Sequence, residues 1–351
     1  LKGVFVVSVL VLVALSFMTA HAVRVEAAGP DKVWNLRFAL DTPPQAPKSK
    51  GTFAWAKKVE QATNGKVKIK VYAGSTLCKL PDTMTAIQSG VADLGDSLTG
   101  VHRGAFPLTE VITLPFVGGS SAAVNGRIVW KLYEEFPAIQ AEYKDFKLLG
   151  LFCTDAYRLL TIKKPVRKLE DIKGLKLRAA GGPPTHMTKA FGAVPVSIRM
   201  PGTYLALQKG TIDGMWWNYD SCVSFRQYEV SNYVTDIPTS AIVFWVMMNK
   251  DVWNGFPKNI QNQIMSVSGV KIAEHMGGSV WDSCKGILDK RLSKENVKWP
   301  KEWIKLSPAE EARWIKVGGK PIVDKWVEQF KDRGPTQQIL DRTLELKKQY
   351  M

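Results

Sequence analysis

Arg178 is the residue of this chain whose chemistry stands out first. It ends the run Lys164-Pro-Val-Arg-Lys-Leu-Glu-Asp-Ile-Lys-Gly-Leu-Lys-Leu-Arg178. A guanidinium is always charged and presents a planar fork of donors that matches a carboxylate bidentately. By pattern alone, that role and an ordinary strand-end arginine paired with Asp or Glu are equally good readings. Catalytic patterns are scarce around it. There is no Gly-rich phosphate loop, no HExxH helix and no GxSxG elbow. Gly181-Gly182 follows a strand pattern but runs into Pro183-Pro184, whose missing N–H groups make a poor phosphate cradle. Four cysteines (78, 153, 222, 284) and four histidines (21, 102, 186, 275) show no metal-ligand spacing. No metal, cofactor or catalytic residue is therefore expected. An extracellular hydrolase or isomerase would need a nucleophile or acid/base pair that the sequence does not offer.

The elements that must position Arg178 alternate. Residues 33–40 read as a strand, the loop Asp41–Pro47 follows, and 51–63 read as a helix stopped by Asn64-Gly65. Val67–Tyr72 alternates cleanly as a strand, 81–90 read as a helix, and Val91–Gly95 as a short buried strand. This βαβαβ order predicts helices packed on a mostly parallel sheet. Ligands bind beyond the carboxyl ends of such strands, which points to the loops at Asp41–Pro47 and Asp96–Arg103. A second alternating region starts near Lys147–Thr161. It continues through strands at 172–179 and 194–198, helices at 183–191 and 202–209, and Ile212-Asp-Gly-Met-Trp-Trp-Asn218. Gln208-Lys-Gly-Thr-Ile-Asp213 echoes Gln88-Ser-Gly-Val-Ala-Asp93, so two domains of similar topology are expected. Residues 241–249 read as a strand buried on both faces, and the pattern from 251 onward as helical to the end. No flexible linker separates the halves, which implies a stiff connection of several strands.

The N-terminus reads as a secretory signal peptide. Lys2 precedes the apolar run Val4–Phe17, and small residues follow at Ala20, Ala22, Ala27 and Ala28. The run is shorter than the ~20 residues of a spanning helix. The expected organisation is a signal peptide at 1–28, domain I at 29–155, domain II at 156–240, a return to domain I at 241–283, and 284–351 as a second segment of domain II with the C-terminal helices. The formal net charge is +16. Lysines and arginines are spread without a block of like charge, so a solvated basic surface that steers anions is expected, and no nucleic-acid partner.

The sequence resembles the substrate-binding subunits of tripartite ATP-independent periplasmic (TRAP) transporters, of the C4-dicarboxylate-binding superfamily. Besides Lys164–Arg178, the matching segments are Thr63-Asn-Gly-Lys-Val67, Gln88–Leu94, Leu114-Pro-Phe116, Tyr204–Gly214 and Trp253-Asn-Gly-Phe-Pro257. They fall in the family's order over about residues 33–330. The resemblance implies an α/β, two-domain periplasmic-binding-protein (clamshell) fold with mixed, mostly parallel sheets and a long C-terminal helical region. It also implies a periplasmic monomer that closes on a small organic acid and delivers it to TRAP membrane permease subunits; some relatives dimerise by swapping a C-terminal helix. A sensor on the same fold, or a C4-dicarboxylate as ligand, are the alternatives.

The resemblance also assigns residues. Arg178 is similar in position to the family's carboxylate-binding arginine, and Arg158 to a second arginine that some relatives use. The family's ligand-contacting Asn or Gln falls on Trp217, with Asn218 one step beyond. Trp216 and Trp217 adjoin, so only one faces a cleft from a strand. Gly202 stands where many relatives are acidic, Met200 lies near another pocket position, and Leu77-Cys-Lys79 replaces a Leu-Gly-acidic pattern. With Phe244 or its neighbour Trp245, these departures suggest an apolar pocket for a monocarboxylate with an aromatic, branched or 2-oxo body. Asp41, Thr42, Ser97 and Thr99 are loop contacts at strand ends, or equally turn and cap residues.

Overall fold

A computed structural model describes residues 32–351 except Ala180. The signal-peptide reading of 1–28 lies outside the described residues. None of the described helices is long and apolar enough to cross a membrane.

Two sheets organise the chain. The first contains β1 (Trp34–Ala39), β2 (Val67–Tyr72), β3 (Leu94–Leu98), β4 (Phe146–Cys153) and β10 (Val243–Asn249), in the order β2-β1-β3-β10-β4. The second contains β5 (Arg158–Thr161), β6 (Lys176–Arg178), β7 (Val194–Val196), β8 (Gly214–Trp217), β9 (Tyr233–Asp236) and β11 (Glu302–Lys305), in the order β11-β9-β5-β8-β6-β7. β1 pairs in parallel with β2 and β3, and β6 with β7 and β8, as the alternation predicts. One strand in each sheet runs against its neighbours. β10 is antiparallel to β3 and β4, and β5 to β8 and β9. This is the mixed, two-domain α/β fold expected.

Alternation sets the cores. Along β10, Val243, Trp245 and Met247 enter one buried cluster with Phe106 and Leu151, while Phe244, Val246 and Met248 enter another with Phe152 and Trp281. Burying each of these large side chains contributes about 1.5–3 kcal/mol. The first helix spans Pro47–Ala62, four residues earlier than its pattern suggests, with Pro47 in the first turn where no N–H is needed. It ends as predicted: Asn64 and Gly65 take φ of 50° and 77°, and Gly65 N–H bonds Glu60 O at 2.8 Å. The C-terminal region is not helical throughout. β11 interrupts it and extends the second sheet in parallel with β9. Four residues between Pro300 and Pro308 are too few for periodicity to reveal. The closing helix, Thr336–Tyr350, returns to the first sheet's layer, where Arg342 pairs with Glu135 at 2.8 Å.

Three crossings join the lobes. The segments between β4 and β5 and between β9 and β10 bond to each other: Thr154 N–H to Ile242 O at 3.0 Å, Tyr157 N–H to Ser240 O at 2.9 Å, and Thr239 N–H to Tyr157 O at 2.9 Å. The third is a π-helical stretch, Glu274–Trp281, continued by the helix Cys284–Glu295. Asp282 between them accepts from the N–H groups of Ala122 (2.7 Å) and Ala123 (3.1 Å), at the start of the Ala122–Glu135 helix. π-helical turns occur frequently at functional sites.

Candidate functional site

The lobes meet where their parallel strands end. Gly181 needs its positive φ of 84°, and a Cβ there would lie 3.1 Å from the carbonyl oxygen of Gly100 in the other lobe. Nearby, the Glu110 carboxylate lies 3.6 Å from where a Cβ on Gly182 would sit. Burial first, and Glu142 second, push the Glu110 carboxyl up to about 7, against a hydrogen bond from Thr99.

On the second sheet, Arg178 ends β6, Trp217 ends β8 and Arg158 opens β5. Arg158 stands opposite Trp217, and Arg178 opposite Met215. Trp217 lies two residues from Met215, so all three side chains start on one face. Arg178 is only 7% exposed. Its Nε donates to Ile198 O at 3.2 Å, the Tyr157 hydroxyl bonds it, and its Nη1 has no partner. Burial depresses its pKa, and no carboxylate offsets that; among the described residues no Asp or Glu reaches ion-pair distance. Trp217 is fully buried, held edge-on by Tyr219 (5.2 Å) and Trp299 (5.5 Å), and its Nε1 also lacks an acceptor. Unpaired buried donors are costly and rare in folded proteins.

Arg158, by contrast, is committed. Its Nε donates to Asp236 at 2.7 Å, its Nη1 donates to Ala156 O at 3.1 Å, and its guanidinium lies 5.5 Å from the Tyr219 ring. It lines an open groove of about 550 Å³ with Asp155, Tyr219, Trp281 and Trp303, a set that includes neither Arg178 nor Trp217. Asn218 caps the helix Tyr219–Phe225: its Oδ1 accepts from Ser221 N–H, and its Nδ2 donates to Asp155 at 3.0 Å. Trp216 faces the opposite side of β8, where its indole donates to Thr188 at 2.8 Å beside Phe191. Met200 opens a turn, and its sulfur accepts from Gln227 at 3.4 Å.

The first sheet's edge is organised by a residue that sequence reading missed. Lys48, 2% exposed, reaches back from the first helix to Asp41 (2.6 Å) and Asp96 (2.9 Å), and its ammonium lies 4.6 Å over Phe244. These carboxylates hold the ammonium charged against burial. Phe244 stacks on Phe152 (5.4 Å) and meets Trp281 (5.2 Å), while Trp245 is core. Pro47-Lys-Ser-Lys50 reads as solvated surface, so only three dimensions reveal Lys48. The other loop residues are bonded within the lobe. Thr42 pairs with Ser49 at 2.8 Å, Thr99 bonds Glu110, and Ser97 donates to Leu80 O at 3.1 Å. His102 Nε2 lies 2.9 Å from Ser97 Oγ. The Ser97 proton is spent on Leu80, so His102 donates there and is no base for a serine nucleophile.

Tyr157 and Asp220 were also missed, although each adjoins a recognised motif. Asp220, in the first turn after Trp216-Trp217-Asn218-Tyr219, is 8% exposed. Burial raises its carboxyl to about 6, with Lys48 of the first lobe opposing the shift. Tyr157 feels Arg178 together with Asp155 and Asp220. One electrostatic network therefore runs from Arg178 through Tyr157 to Asp220 and Lys48. Among the described residues no cluster could hold a metal ion, and all four cysteines are free.

The comparisons with known proteins agree with this architecture. Residues 38–329 match the family model described as bacterial extracellular solute-binding protein, family 7. The chain is 27% identical to the outer membrane transporter protein TsaT of Comamonas testosteroni over 293 residues, 82% of this chain and 83% of that one. It is similar to a TRAP periplasmic solute-binding protein of Desulfovibrio salexigens (30% identity, TM-score 0.78, covering 90% and 96% of the two chains). It is also similar to one of Bordetella bronchiseptica bound to (R)- and (S)-mandelate (25%, 0.82, 90% and 99%). The chain belongs to the family 7 extracellular solute-binding proteins, the periplasmic binding subunits of TRAP transporters.

Proposed function

We propose that this protein captures a small monocarboxylate between its lobes, with Arg178 as the carboxylate anchor and Trp217 as the wall beside it, and hands it to a TRAP permease. Proteins of this family bind organic acids for membrane permeases and are not enzymes. The observation that carries the finer reading is the buried Arg178 guanidinium without an acidic partner, next to an indole N–H without an acceptor. A carboxylate supplies what both lack. Arg158 is spent on Asp236 and Lys48 on Asp41 and Asp96, so a second ligand carboxylate would find no free buried cation among these three. That favours a monocarboxylate over a C4-dicarboxylate. The surrounding indoles and phenyl rings suit an aromatic, branched or 2-oxo body, and mandelate in the Bordetella relative is an acid of that kind.

Capture works by population shift. The acid touches both lobes only when they are closed, so binding favours the closed form. Export by a cleaved signal peptide and action as a monomer complete the proposal. A thermal-shift screen of organic acids tests it, because a ligand of the folded form raises the melting temperature by mass action. Aromatic and branched monocarboxylates are expected to stabilise the protein. Stabilisation by succinate or malate alone overturns the monocarboxylate reading.

A further inference from the structure

The open groove and the buried anchor are separated by one side chain. In the second sheet the strand order β5-β8-β6 sets Arg158, Trp217 and Arg178 in a row on one face. Two strand spacings put the backbones of the arginines about 10 Å apart. Arg158 lines the groove of about 550 Å³, and Trp217 and Arg178 do not. Tyr219 belongs to both regions. It lines the groove, and its ring meets Trp217 edge-on at 5.2 Å. Trp217 is fully buried, whereas Tyr219 is half-buried.

The Tyr219 ring is held by weak contacts. The Arg158 guanidinium lies 5.5 Å from its centroid and is itself fixed by Asp236 at 2.7 Å. Among the described residues the Tyr219 hydroxyl takes no hydrogen bond. Tyr219 is the first residue of the helix Tyr219–Phe225, which the Asn218 cap secures, so a change of side-chain rotamer leaves the backbone in place. The groove beside it has room for the ring. The geometry points to Tyr219 as a gate: its ring closes the passage from the groove to Trp217 and Arg178, and by swinging into the groove it lets the acid reach them. This rests on Arg178 and Trp217 forming the ligand site. Arg158 then steadies the gate rather than holding a carboxylate. Ligand exchange by this route does not need the lobes to part at Gly181, where a Cβ would lie 3.1 Å from the Gly100 carbonyl oxygen.

Hydrogen exchange at the Trp217 indole tests the gate on the ligand-free full chain. That N–H is buried without an acceptor, so its exchange reports how often water reaches it. With nitrogen-15-labelled tryptophan, and the Trp217 signal assigned by its loss in Trp217→Phe, Tyr219→Ala is expected to speed exchange at least about tenfold. Tyr219→Phe keeps the ring and should stay within about twofold of wild type. Trp216, on the opposite face of the same strand and bonded to Thr188, is the internal reference. An unchanged Trp217 rate in Tyr219→Ala overturns the gate, and so does a rise shared by Trp216, which marks loosening of the fold. Should Tyr219→Ala fail to fold, as judged by circular dichroism, Tyr219→Leu and Arg158→Gln carry the comparison. Stopped-flow fluorescence with phenylacetate, 3-methylbutanoate and (R)-mandelate tests the ligand's passage. Association and dissociation rate constants should both rise at least about fivefold in Tyr219→Ala, with Kd within about threefold. A loss of affinity carried by dissociation alone makes Tyr219 a ligand contact and overturns the gate. Faster Trp217 exchange with none of the three acids bound keeps the gate and counts against the monocarboxylate reading, so the two fail separately.

Discussion

Two buried cations, one on each side of the cleft, illustrate opposite solutions to the same electrostatic problem. Lys48 of the first lobe is surrounded by carboxylates at 2.6 and 2.9 Å and covers the Phe244 ring. Arg178 of the second lobe is almost as buried, yet its nearest partners are a carbonyl and a phenol. Removing either charge from water is expensive, and only the first is compensated from within. The difference teaches how to separate scaffold from site. A paired buried cation ties β1, β3 and the first helix together. An unpaired one leaves a charge that an anion from outside could meet.

The largest effect that could break this contrast is on stability. Lys48→Met leaves Asp41 and Asp96 facing each other without a counter-charge, and is expected to destabilise the protein by about 3–5 kcal/mol in denaturant titrations. Adding Asp96→Asn should restore part of the loss, because the orphaned charge is removed with its partner. A Lys48→Met protein as stable as wild type would mean that Lys48 is not the scaffold cation. Arg178 should behave in the reverse way. Arg178→Ala is expected to weaken acid binding at least about tenfold, in line with the roughly 1.5–3 kcal/mol of a charge-assisted bond, without lowering the melting temperature of the ligand-free protein. Arg178→Lys keeps the charge but loses the fork and should also weaken binding. Near-native affinity in both variants removes the anchor.

How far this contrast was legible beforehand follows from its physics. Arg178 sits in a local motif, Lys173-Gly-Leu-Lys-Leu-Arg178, so its strand-end position could be read from a short window. The parallel pairings of β1–β3 and β6–β8 followed from helix and strand periodicities in the same way. Lys48 could not be read, because its partners lie at Asp41 and Asp96 and only the fold joins them. Arg158 shows the reverse limit. Its spacing from Arg178 suggested a second anchor, but the register of β5 against β9 places Asp236 within 2.7 Å. The adjoining pairs Trp216–Trp217 and Phe244–Trp245 each divide between two faces, as strand geometry requires, but which member faces the cleft is decided by the packed layers. β11 was missed because four residues carry too little pattern.

A smaller effect sharpens the second-lobe side. Trp217→Phe keeps the ring between Tyr219 and Trp299 and deletes only the unpaired N–H. If that N–H meets the ligand, affinity should fall by about 0.5–1.5 kcal/mol, roughly two- to tenfold, with the fold unchanged. Equal affinity by calorimetry would reduce Trp217 to packing.

The smallest effect concerns the contact between the lobes. Glu110 faces the turn at Gly182 with its carboxyl raised to about 7 from an ordinary 4.5, burial being the main cause. The folded protein therefore binds a proton there that the unfolded chain has released. The sign follows from linkage: stability from this group is fully present below about 4.5 and declines as pH rises to about 7, because the unfolded state binds fewer protons over that range. Glu110→Gln mimics the protonated form at every pH. Its advantage over wild type should be absent near pH 4, grow through pH 5–6 and level off above about 7, measured as melting temperature against pH. Glu142 is raised in the same direction and repels a charged Glu110, so the difference between the two proteins includes the relief of that repulsion, which has the same sign. Parallel curves for the two proteins would show that Glu110 is solvated, and that the lobes do not hold this contact in solution.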